Sequence, residues 1–251
     1  MIAVKDSQCH SVMFPLNVQF HSTPRFIENG ASNNNYGNFN LANHVGDDPS
    51  AVKANRQLLM GHYSLPSSPK WLDQCHSNIC VNVDEKCSLT ADASISQLPG
   101  VMCAVLTADC LPVFLSRKDG SAVGIVHVGW RGLVGGVIES TIEMLNSEKG
   151  ELLAHLGPGI SQSAFEVGAE VREVFVAKNS EFESAFIQSN DKYKLDLYGA
   201  ATVVLERCGV QSITGGTHCT YFEKKRYFSY RRDGERSGRM AHLIWMEAVT
   251  K

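Results

Sequence analysis

Two short apolar runs, at 101–106 and 123–128, constrain the fold of this chain most strongly. Both are almost continuously apolar, which is typical of strands buried on both faces of a sheet. A reactive side chain follows or closes each run, because Cys110 lies in the segment TADCLPV and His127 in the segment HVGWRG. Chemistry is commonly placed where a rigid strand gives way to a loop. The two runs therefore predict buried strands with a functional site at their ends.

Length and composition predict an ordinary globular protein. The 251 residues are 43% hydrophobic and 20% charged, and neither a repeat nor a low-complexity linker divides them, so we expect one domain over 1–251. The net charge of -3, without a Lys/Arg-rich block, argues against nucleic acid or an anionic membrane as partner. The first ten residues lack the basic start and unbroken apolar stretch of a signal peptide, and no run approaches about 18 apolar residues, so we expect neither a signal peptide nor a membrane span. The eight cysteines are too sparse for a disulfide scaffold, so we expect free thiols and a cytoplasmic location.

Apolar periodicity and capping signals predict helices at 49–60, 133–145, 166–178 and 195–208. The first begins at Asp48-Pro49, a side-chain acceptor followed by proline, and the last ends before Gly209. Strands are expected within 71–83 and 101–128, and a strand–turn region at 227–245. Residues 1–48 look irregular and strand-like, with an Asn-rich loop at 29–38 that is either a mobile lid or, as we favour, a turn-rich connection. Because the elements do not alternate regularly, the pattern predicts an α+β fold with mixed β-sheets flanked by helices.

A third reactive side chain, His76, lies upstream in the segment WLDQCH. Together with Cys110 and His127 it would supply three nitrogen and sulfur donors, which suit zinc with one exchangeable position. The spacings of 34 and 17 residues match no short zinc motif, however. The alternative interpretation is a buried core thiol with two structural histidines. Three further histidines compete as candidates: His44, His155 and His218.

Several arginines are candidates for binding an anion. Arg131 lies at the start of the most regular predicted helix, and Arg56 lies on the first helix. Arg231 and Arg232 lie in an aromatic segment near the carboxyl terminus. Each is equally compatible with a solvated surface arginine. The segment at 157–159, GPG, is a tight turn rather than a phosphate loop, since it lacks the lysine and Ser/Thr of that motif.

A set of motifs spread over about 40–245 resembles the YfiH (laccase-domain) family. These motifs are NHVGDDP at 43–49, WLDQCH at 71–76, ADA at 91–93, LTADCLPV at 106–113, HVGWRG at 127–132, GPGI at 157–160, FEVG at 165–168, SYRRD at 229–233 and GRM at 238–240. The resemblance implies a single α+β domain with a zinc site. Its ligands, carried over position by position, fall on His76, Cys110 and His127. This chain departs from the family pattern at Ser77, where a glycine is usual, and at 29–32, where the usual loop is GGVS.

The resemblance also implies an activity. The family is associated with phosphorolysis of adenosine, inosine and S-methyl-5'-thioadenosine, and with adenosine deamination; purine nucleosides and phosphate would be the partners. Carried over, the catalytic residues would be Cys110, His127 and Arg131, and the substrate contacts Asn40 and Arg56. One zinc could serve both reactions, because phosphorolysis needs an oriented phosphate and deamination an activated water.

Two other classes of activity remain open. Cys110 and His127 would suit the nucleophile and base of a cysteine hydrolase, and the resemblance links the family to editing of peptidoglycan precursors. The family has also been described as a copper-dependent polyphenol oxidase. Four-copper oxidases need about ten histidines, many of them in His-x-His pairs. This chain has nine histidines and no such pair, although a Cys/His site can also bind copper.

Overall fold

The computed structural model describes residues 14–248, in which thirteen strands form three sheets beside six α-helices. The strands are, in chain order, β1 Val18–Ser22, β2 Lys70–Trp71, β3 Cys80–Asn82, β4 Ala93–Ser96, β5 Cys103–Thr107, β6 Leu111–Arg117, β7 Val123–Val128, β8 Leu152–Leu156, β9 Glu166–Val167, β10 Phe186–Ser189, β11 Lys192–Leu195, β12 Ser212–Gly215 and β13 Met240–Met246. The helices are α1 Pro49–His62, α2 Trp130–Gly135, α3 Val137–Leu145, α4 Ala169–Lys178, α5 Leu197–Arg207 and α6 Tyr230–Asp233. In this part of the chain no helix is long and apolar enough to cross a membrane.

A six-stranded mixed sheet forms the centre of the molecule, in the order β12-β8-β6-β7-β4-β3. Its strands β6 and β7 are buried along almost their whole length. Alternate side chains enter two different clusters: Leu115 and Val126 pack with the helices α3 and α5, whereas Phe114 and Ile125 pack against a second sheet. Burial on both faces explains why these segments read as continuous apolar runs.

The second sheet has four strands, in the order β1-β13-β5-β2, and packs face to face on the first. Val105 of β5 and Ile244 of β13 lie completely buried between the two sheets. The third sheet is small, with the order β10-β11-β9, and packs beside α4. Parallel and antiparallel pairs coexist in the two larger sheets. The α+β class with mixed sheets, expected from the sequence, is confirmed.

The predicted helices are present, with corrections at their boundaries. Helix α1 begins as expected, because Asp48 accepts a hydrogen bond from the Ser50 backbone and Pro49 occupies the first turn. The prediction of a single helix at 133–145 is wrong, because this segment is divided between α2 and α3. The two helices are separated at Gly136, whose φ of 96° is incompatible with a continuous α-helix. The helix predicted at 166–178 starts only at 169, since 166–167 pair as β9. The last one, predicted at 195–208, is Leu197–Arg207, and Gly209 has the expected positive φ.

Two strand predictions also need correction. Residues 72–79 are a loop rather than part of a strand, because several of their backbone N–H groups are bound by a buried carboxylate instead of a neighbouring strand. Within 227–245, residues 230–233 form the short helix α6, capped by the Ser229 side chain. The strand prediction at 101–128 is confirmed as β5, β6 and β7.

The Asn-rich loop is anchored to helix α1. The side chain of Asn55 accepts a hydrogen bond from the backbone of Ala31 at 2.8 Å and donates one to Ser32 Oγ at 2.9 Å. Ser32 in turn donates to Asp47 at 2.6 Å. These contacts agree with a turn-rich connection. The part of the irregular amino-terminal region before residue 14, including Cys9, lies outside the described residues, and the seven cysteines after it are free.

Candidate metal centre

Strand pairing brings Cys110 and His127 together. Cys110 immediately precedes β6, and His127 is the penultimate residue of β7. The two strands are antiparallel neighbours, with Pro112 opposite His127 in the register. The start of one strand therefore lies beside the end of the other, and both side chains are placed at the same edge of the six-stranded sheet. The adjacent Asp109 has a φ of 92°, which turns the chain sharply before the cysteine.

His76 reaches the same place from the loop between β2 and β3. Its Nε2 atom lies 3.7 Å from Cys110 Sγ, and its ring centroid lies 4.8 Å from that of His127. The potential ligand atoms of His76, Cys110 and His127 all lie within 4.8 Å of one another. The backbone of His76 has a φ of 60°, an unusual conformation for a residue other than glycine. The loop must therefore be held in place by specific contacts.

Asp92, a completely buried carboxylate, provides those contacts. Its Oδ1 accepts hydrogen bonds from His127 Nδ1 at 2.8 Å and from the backbone N–H of His76 at 3.0 Å. Its Oδ2 accepts from the backbone N–H groups of Cys75 at 3.2 Å and Ser77 at 2.6 Å. Because Nδ1 of His127 is bound to the carboxylate, Nε2 is the nitrogen left for a ligand. Asp92 thus orients both histidines.

Ser77 adds a contact of its own, since its hydroxyl donates to Asp92 Oδ2 at 2.7 Å. At this position the family pattern has glycine, which offers no side-chain donor. The departure seen in the sequence therefore adds a hydrogen bond to the carboxylate and removes nothing from the cluster.

Proximity changes the charge states of these groups. Burial alone favours the neutral thiol, but the imidazoles of His127 and His76 outweigh it and lower the pKa of Cys110 to about 6. Burial likewise disfavours the imidazolium of His127, yet Cys110 and Asp92 raise the pKa of His127 to about 9. The pKa of Asp92 is lowered despite its burial, since His127 and Ser77 donate hydrogen bonds to it. Without a metal, the cysteine and His127 therefore form a thiolate–imidazolium pair near neutral pH.

Gly129 leaves the space that the cluster occupies. A Cβ atom at this position would lie 2.6 Å from His76 Cδ2 and 3.3 Å from Cys110 Sγ. The first distance is shorter than real side chains tolerate, so any other residue here would displace the histidine. The first glycine of the segment HVGWRG is explained by this close approach.

The donor set fits a zinc ion. Zinc binds imidazole nitrogen and thiolate sulfur tetrahedrally, and bond lengths of about 2.0–2.3 Å place neighbouring ligand atoms about 3.3–3.8 Å apart. The 3.7 Å between His76 Nε2 and Cys110 Sγ lies in that range. A carboxylate behind a ligand histidine, as Asp92 is behind His127, is the usual support of such sites. Copper also accepts these donors, so the cluster could hold a metal ion and its donor set does not choose between the two metals.

A cavity of about 440 Å³ opens above the cluster. Apart from the cluster itself, its wall includes aromatic side chains, Phe165, Trp130 and Tyr230, and arginines, Arg131, Arg231 and Arg239. Arg131, to which the family resemblance assigns a catalytic role, lines this cavity, and its exposed guanidinium lies 4.4 Å from the centroid of the Trp130 ring. Its catalytic role stays a prediction. The volume is in the range of small-molecule sites.

The two residues predicted to contact substrate lie outside the cavity wall. Arg56 donates from Nε to the carbonyl of Leu41 at 2.9 Å, and its guanidinium stacks 4.3 Å from the centroid of Trp71. Asn40 is completely buried, and both its amide nitrogen and its oxygen are bound within the protein. A direct contact of either residue with substrate stays a prediction.

Of the three other candidate histidines, only His44 lines the cavity. His44 is exposed. His155 is buried in β8, and His218 pairs with Glu223 away from the cluster. Sequence reasoning missed the role of Asp92, although its position directly before a buried strand was a usable signal. It also missed Arg239, although this residue lies in the motif GRM at 238–240.

The fold and this site define a mixed α+β protein in which a His–Cys–His cluster that could hold a metal ion lines a cavity of about 440 Å³. The chain belongs to the YfiH (laccase-domain) family: the family model described as multi-copper polyphenol oxidoreductase laccase matches residues 23–247. The chain is 46% identical over 213 residues to purine nucleoside phosphorylase YfiH of Escherichia coli (strain K12), covering 84% of this chain and 87% of that protein. A purine nucleoside phosphorylase of Pseudomonas aeruginosa is 44% identical over 220 residues, 87% of this chain and 90% of that protein.

Solved structures agree with this assignment. The crystal structure of a Neisseria meningitidis protein superimposes with a TM-score of 0.88 at 43% identity, covering 94% of this chain and 96% of that one. A Bacillus licheniformis YfiH protein superimposes with a TM-score of 0.85 at 25% identity, covering 92% and 93%. The resemblance stated from the sequence motifs is thereby confirmed.

Proposed function

We propose that this protein is a metal-dependent purine nucleoside phosphorylase that cleaves adenosine, inosine and S-methyl-5'-thioadenosine with phosphate, and that it also deaminates adenosine. Three relatives at 44–47% identity are named purine nucleoside phosphorylases, which supports the first activity. The observation that carries the proposal is the cavity itself. It has a metal-binding triad on one wall and arginines and aromatic side chains on the others.

His76, Cys110 and His127 would hold the metal, most simply zinc. A zinc ion held there would supply a Lewis acid and would lower the pKa of water towards ~7, which is the chemistry that deamination needs. Asp92 keeps His127 in the tautomer and orientation that present Nε2 to the cavity. The protein would thus prepare the ligand geometry before a metal or substrate arrives.

The rest of the cavity would bind and orient the reactants. Phosphorolysis joins a phosphate oxygen to the anomeric carbon of the ribose, while the glycosidic bond breaks and the purine leaves with the bonding electrons. The protein must therefore hold a dianion and stabilise the departing base, which is largely a matter of orientation and electrostatics. Arg131 supplies positive charge, and the rings of Phe165 and Tyr230 offer apolar faces for the purine.

Product analysis by mass spectrometry tests this proposal. The zinc-loaded protein is incubated with adenosine, with and without phosphate, beside the variant Cys110→Ala. We expect adenine and ribose-1-phosphate only with phosphate, inosine in both conditions, and neither reaction in the variant, which should also lose its zinc. Full activity of a zinc-free Cys110→Ala protein would contradict the metal-dependent mechanism, and no turnover by the parent protein would contradict the activity.

One observation favours a cysteine hydrolase as a second candidate. His127 bridges Asp92 and the thiol of Cys110, and a cysteine, a histidine and an orienting carboxylate are the parts of a nucleophilic triad. In this reading the metal-free protein would be the active form and a peptidoglycan precursor its substrate. Retention of hydrolytic activity after removal of zinc distinguishes it from the phosphorylase.

The multi-copper oxidase reading has less support. Within residues 14–248 a single group of three potential metal ligands is found, whereas four-copper chemistry requires several clustered sites. Copper binding at that one group, with phenol oxidation as a side activity, is compatible with its donors.

A further inference from the structure

The cavity has an excess of positive charge. Arg131, Arg231 and Arg239 line it, and Asp109 is the one carboxylate among its lining residues. Both oxygens of Asp109 are already bound, to the hydroxyls of Thr220 at 2.6 Å and Ser229 at 3.0 Å and to a backbone N–H at 2.6 Å. Asp109 keeps its negative charge, but the three arginines outnumber this one carboxylate, so the cavity is suited to an anion.

The three arginines differ in how they are held. Arg131 is exposed and stacks beside its neighbour Trp130. Arg231 is also exposed, and its guanidinium donates a hydrogen bond to the carbonyl of Glu166 at 2.9 Å. Arg239 alone among the three is partly buried, which reduces screening by solvent and strengthens its attraction for an anion.

Arg239 is also fixed in a way that leaves donors available. Its Nη1 donates to the carbonyls of Ser237 at 2.5 Å and Gly238 at 3.2 Å. Its guanidinium lies 5.8 Å from the ring centroid of Tyr230. Among the described residues no partner is bound to its Nε or Nη2, so this arginine presents two N–H groups that match the oxygens of a phosphate.

A buried amide connects Arg239 to a second potential donor, His44. Asn40 accepts a hydrogen bond from the Arg239 backbone at 2.9 Å, and the same amide donates to Asp47 at 2.9 Å. Asn40 therefore joins the segment that carries Arg239 to the loop that carries His44. Burial, followed by the nearby guanidiniums of Arg239 and Arg56, lowers the pKa of His44, which places it in the same positive field.

We propose that Arg239, with His44 beside it, binds the phosphate co-substrate, and that Asn40 positions both. This assignment rests on the proposed phosphorolysis and names the residues that serve it. It also gives Asn40 an indirect role in substrate binding. Arg56, which is bound to the carbonyl of Leu41 outside the cavity wall, is not part of this phosphate site.

Steady-state kinetics of the zinc-loaded variant Arg239→Gln tests the assignment, with Arg236→Gln as the matched control. Arg236 is an exposed arginine of the same loop outside the main cavity, so both variants lose one positive charge. We expect Arg239→Gln to raise the KM for phosphate about 10- to 100-fold, the loss of a charge-assisted pair of hydrogen bonds, with the KM for adenosine within about twofold. The control should match the parent protein.

Titration calorimetry with inorganic phosphate separates the two proposals. If the parent protein binds phosphate and Arg239→Gln does not, the anion site stands even if no phosphorolysis is observed. If phosphorolysis is observed and Arg239→Gln keeps the parent KM for phosphate, the assignment is overturned while the proposed function stands. Should the glutamine variant melt at a lower temperature, Arg239→Lys decides: it keeps the charge but not the two-donor geometry, and an unchanged KM for phosphate would overturn the assignment.

Discussion

Asp92 and Asp109 are both buried carboxylates that fix segments around the cavity. They differ in the chemical groups that donate hydrogen bonds to them. Asp92 accepts hydrogen bonds from His127 Nδ1, from the Ser77 hydroxyl and from three backbone N–H groups. Each of its two oxygens faces at least one backbone N–H, which can only donate. Asp109 accepts from two hydroxyls, those of Thr220 and Ser229, and from one backbone N–H. A hydroxyl can accept as well as donate, whereas an N–H group cannot.

This difference separates a chemical role from an architectural one. At position 92 each oxygen faces a backbone N–H donor, so the negative charge is needed, and the carboxylate orients two of the proposed metal ligands. At position 109 an amide could turn its nitrogen towards the Thr220 hydroxyl and keep its oxygen towards the backbone donor. Asp109 therefore mainly connects the segments at Thr220 and Ser229 to the start of β6. An uncharged side chain of the same shape should keep these connections.

The variants Asp92→Asn and Asp109→Asn should show the largest contrast. We expect Asp92→Asn to weaken zinc binding about 10- to 100-fold, because one amide N–H must face another donor and the support of His127 is lost. Asp109→Asn should bind zinc within about threefold of the parent protein. Competition with a chromophoric chelator measures both affinities.

Two results bear on this contrast. An equal loss of zinc affinity in both variants would show that the two carboxylates act alike. If Asp92→Asn does not fold, Ser77→Ala is the milder test, since it removes one hydroxyl donor from the same carboxylate and should weaken zinc only a few-fold.

The reactivity of Cys110 in the metal-free protein tests the electrostatic interaction among Cys110, His127 and Asp92. With its pKa lowered to about 6, this thiol is ionised at pH 7, and its alkylation rate should fall about tenfold between pH 7 and pH 5 as the thiolate is protonated. Cys208 is the control, because burial raises its pKa and its rate should increase only in alkaline solution. Peptide-resolved mass spectrometry after iodoacetamide treatment measures both rates.

Zinc should suppress the labelling of Cys110 and leave that of Cys208 unchanged. Parallel pH profiles for the two cysteines would contradict the thiolate–imidazolium pair. Labelling of Cys110 at the same rate with and without zinc would exclude it as a ligand.

The variant Gly129→Ala should weaken zinc binding less than Asp92→Asn does, by displacing His76. Its methyl group would lie 2.6 Å from His76 Cδ2, so the ring must move, at a cost of about 1 kcal/mol or a fivefold loss of zinc affinity. Gly135→Ala is the control, since its nearest neighbour is Asn78 Cβ at an ordinary 3.6 Å. The same chelator competition applies, and a parent-like affinity in Gly129→Ala would show that the histidine has room to adjust.

Local patterns in the sequence predicted the elements whose causes are local. The cap of α1 at Asp48-Pro49 was predictable because a capping bond spans two residues. The buried strands β5 and β7 were predictable from their apolar runs. The helix at 133–145 was wrong because apolar spacing continues in phase across Gly136, whereas the backbone conformation of a glycine leaves no trace in that spacing.

The sequence alone determined the fold class and, through family motifs, the set His76, Cys110 and His127. Only the tertiary structure showed that Asp92 supports these residues and that Arg239 lines the same cavity. The bond from His127 to Asp92 spans 35 residues, and the bond from Arg239 to Asn40 spans 199. Contacts over such separations depend on strand register and loop packing, which periodicity does not encode, and so the positioning of the site emerged only with the fold.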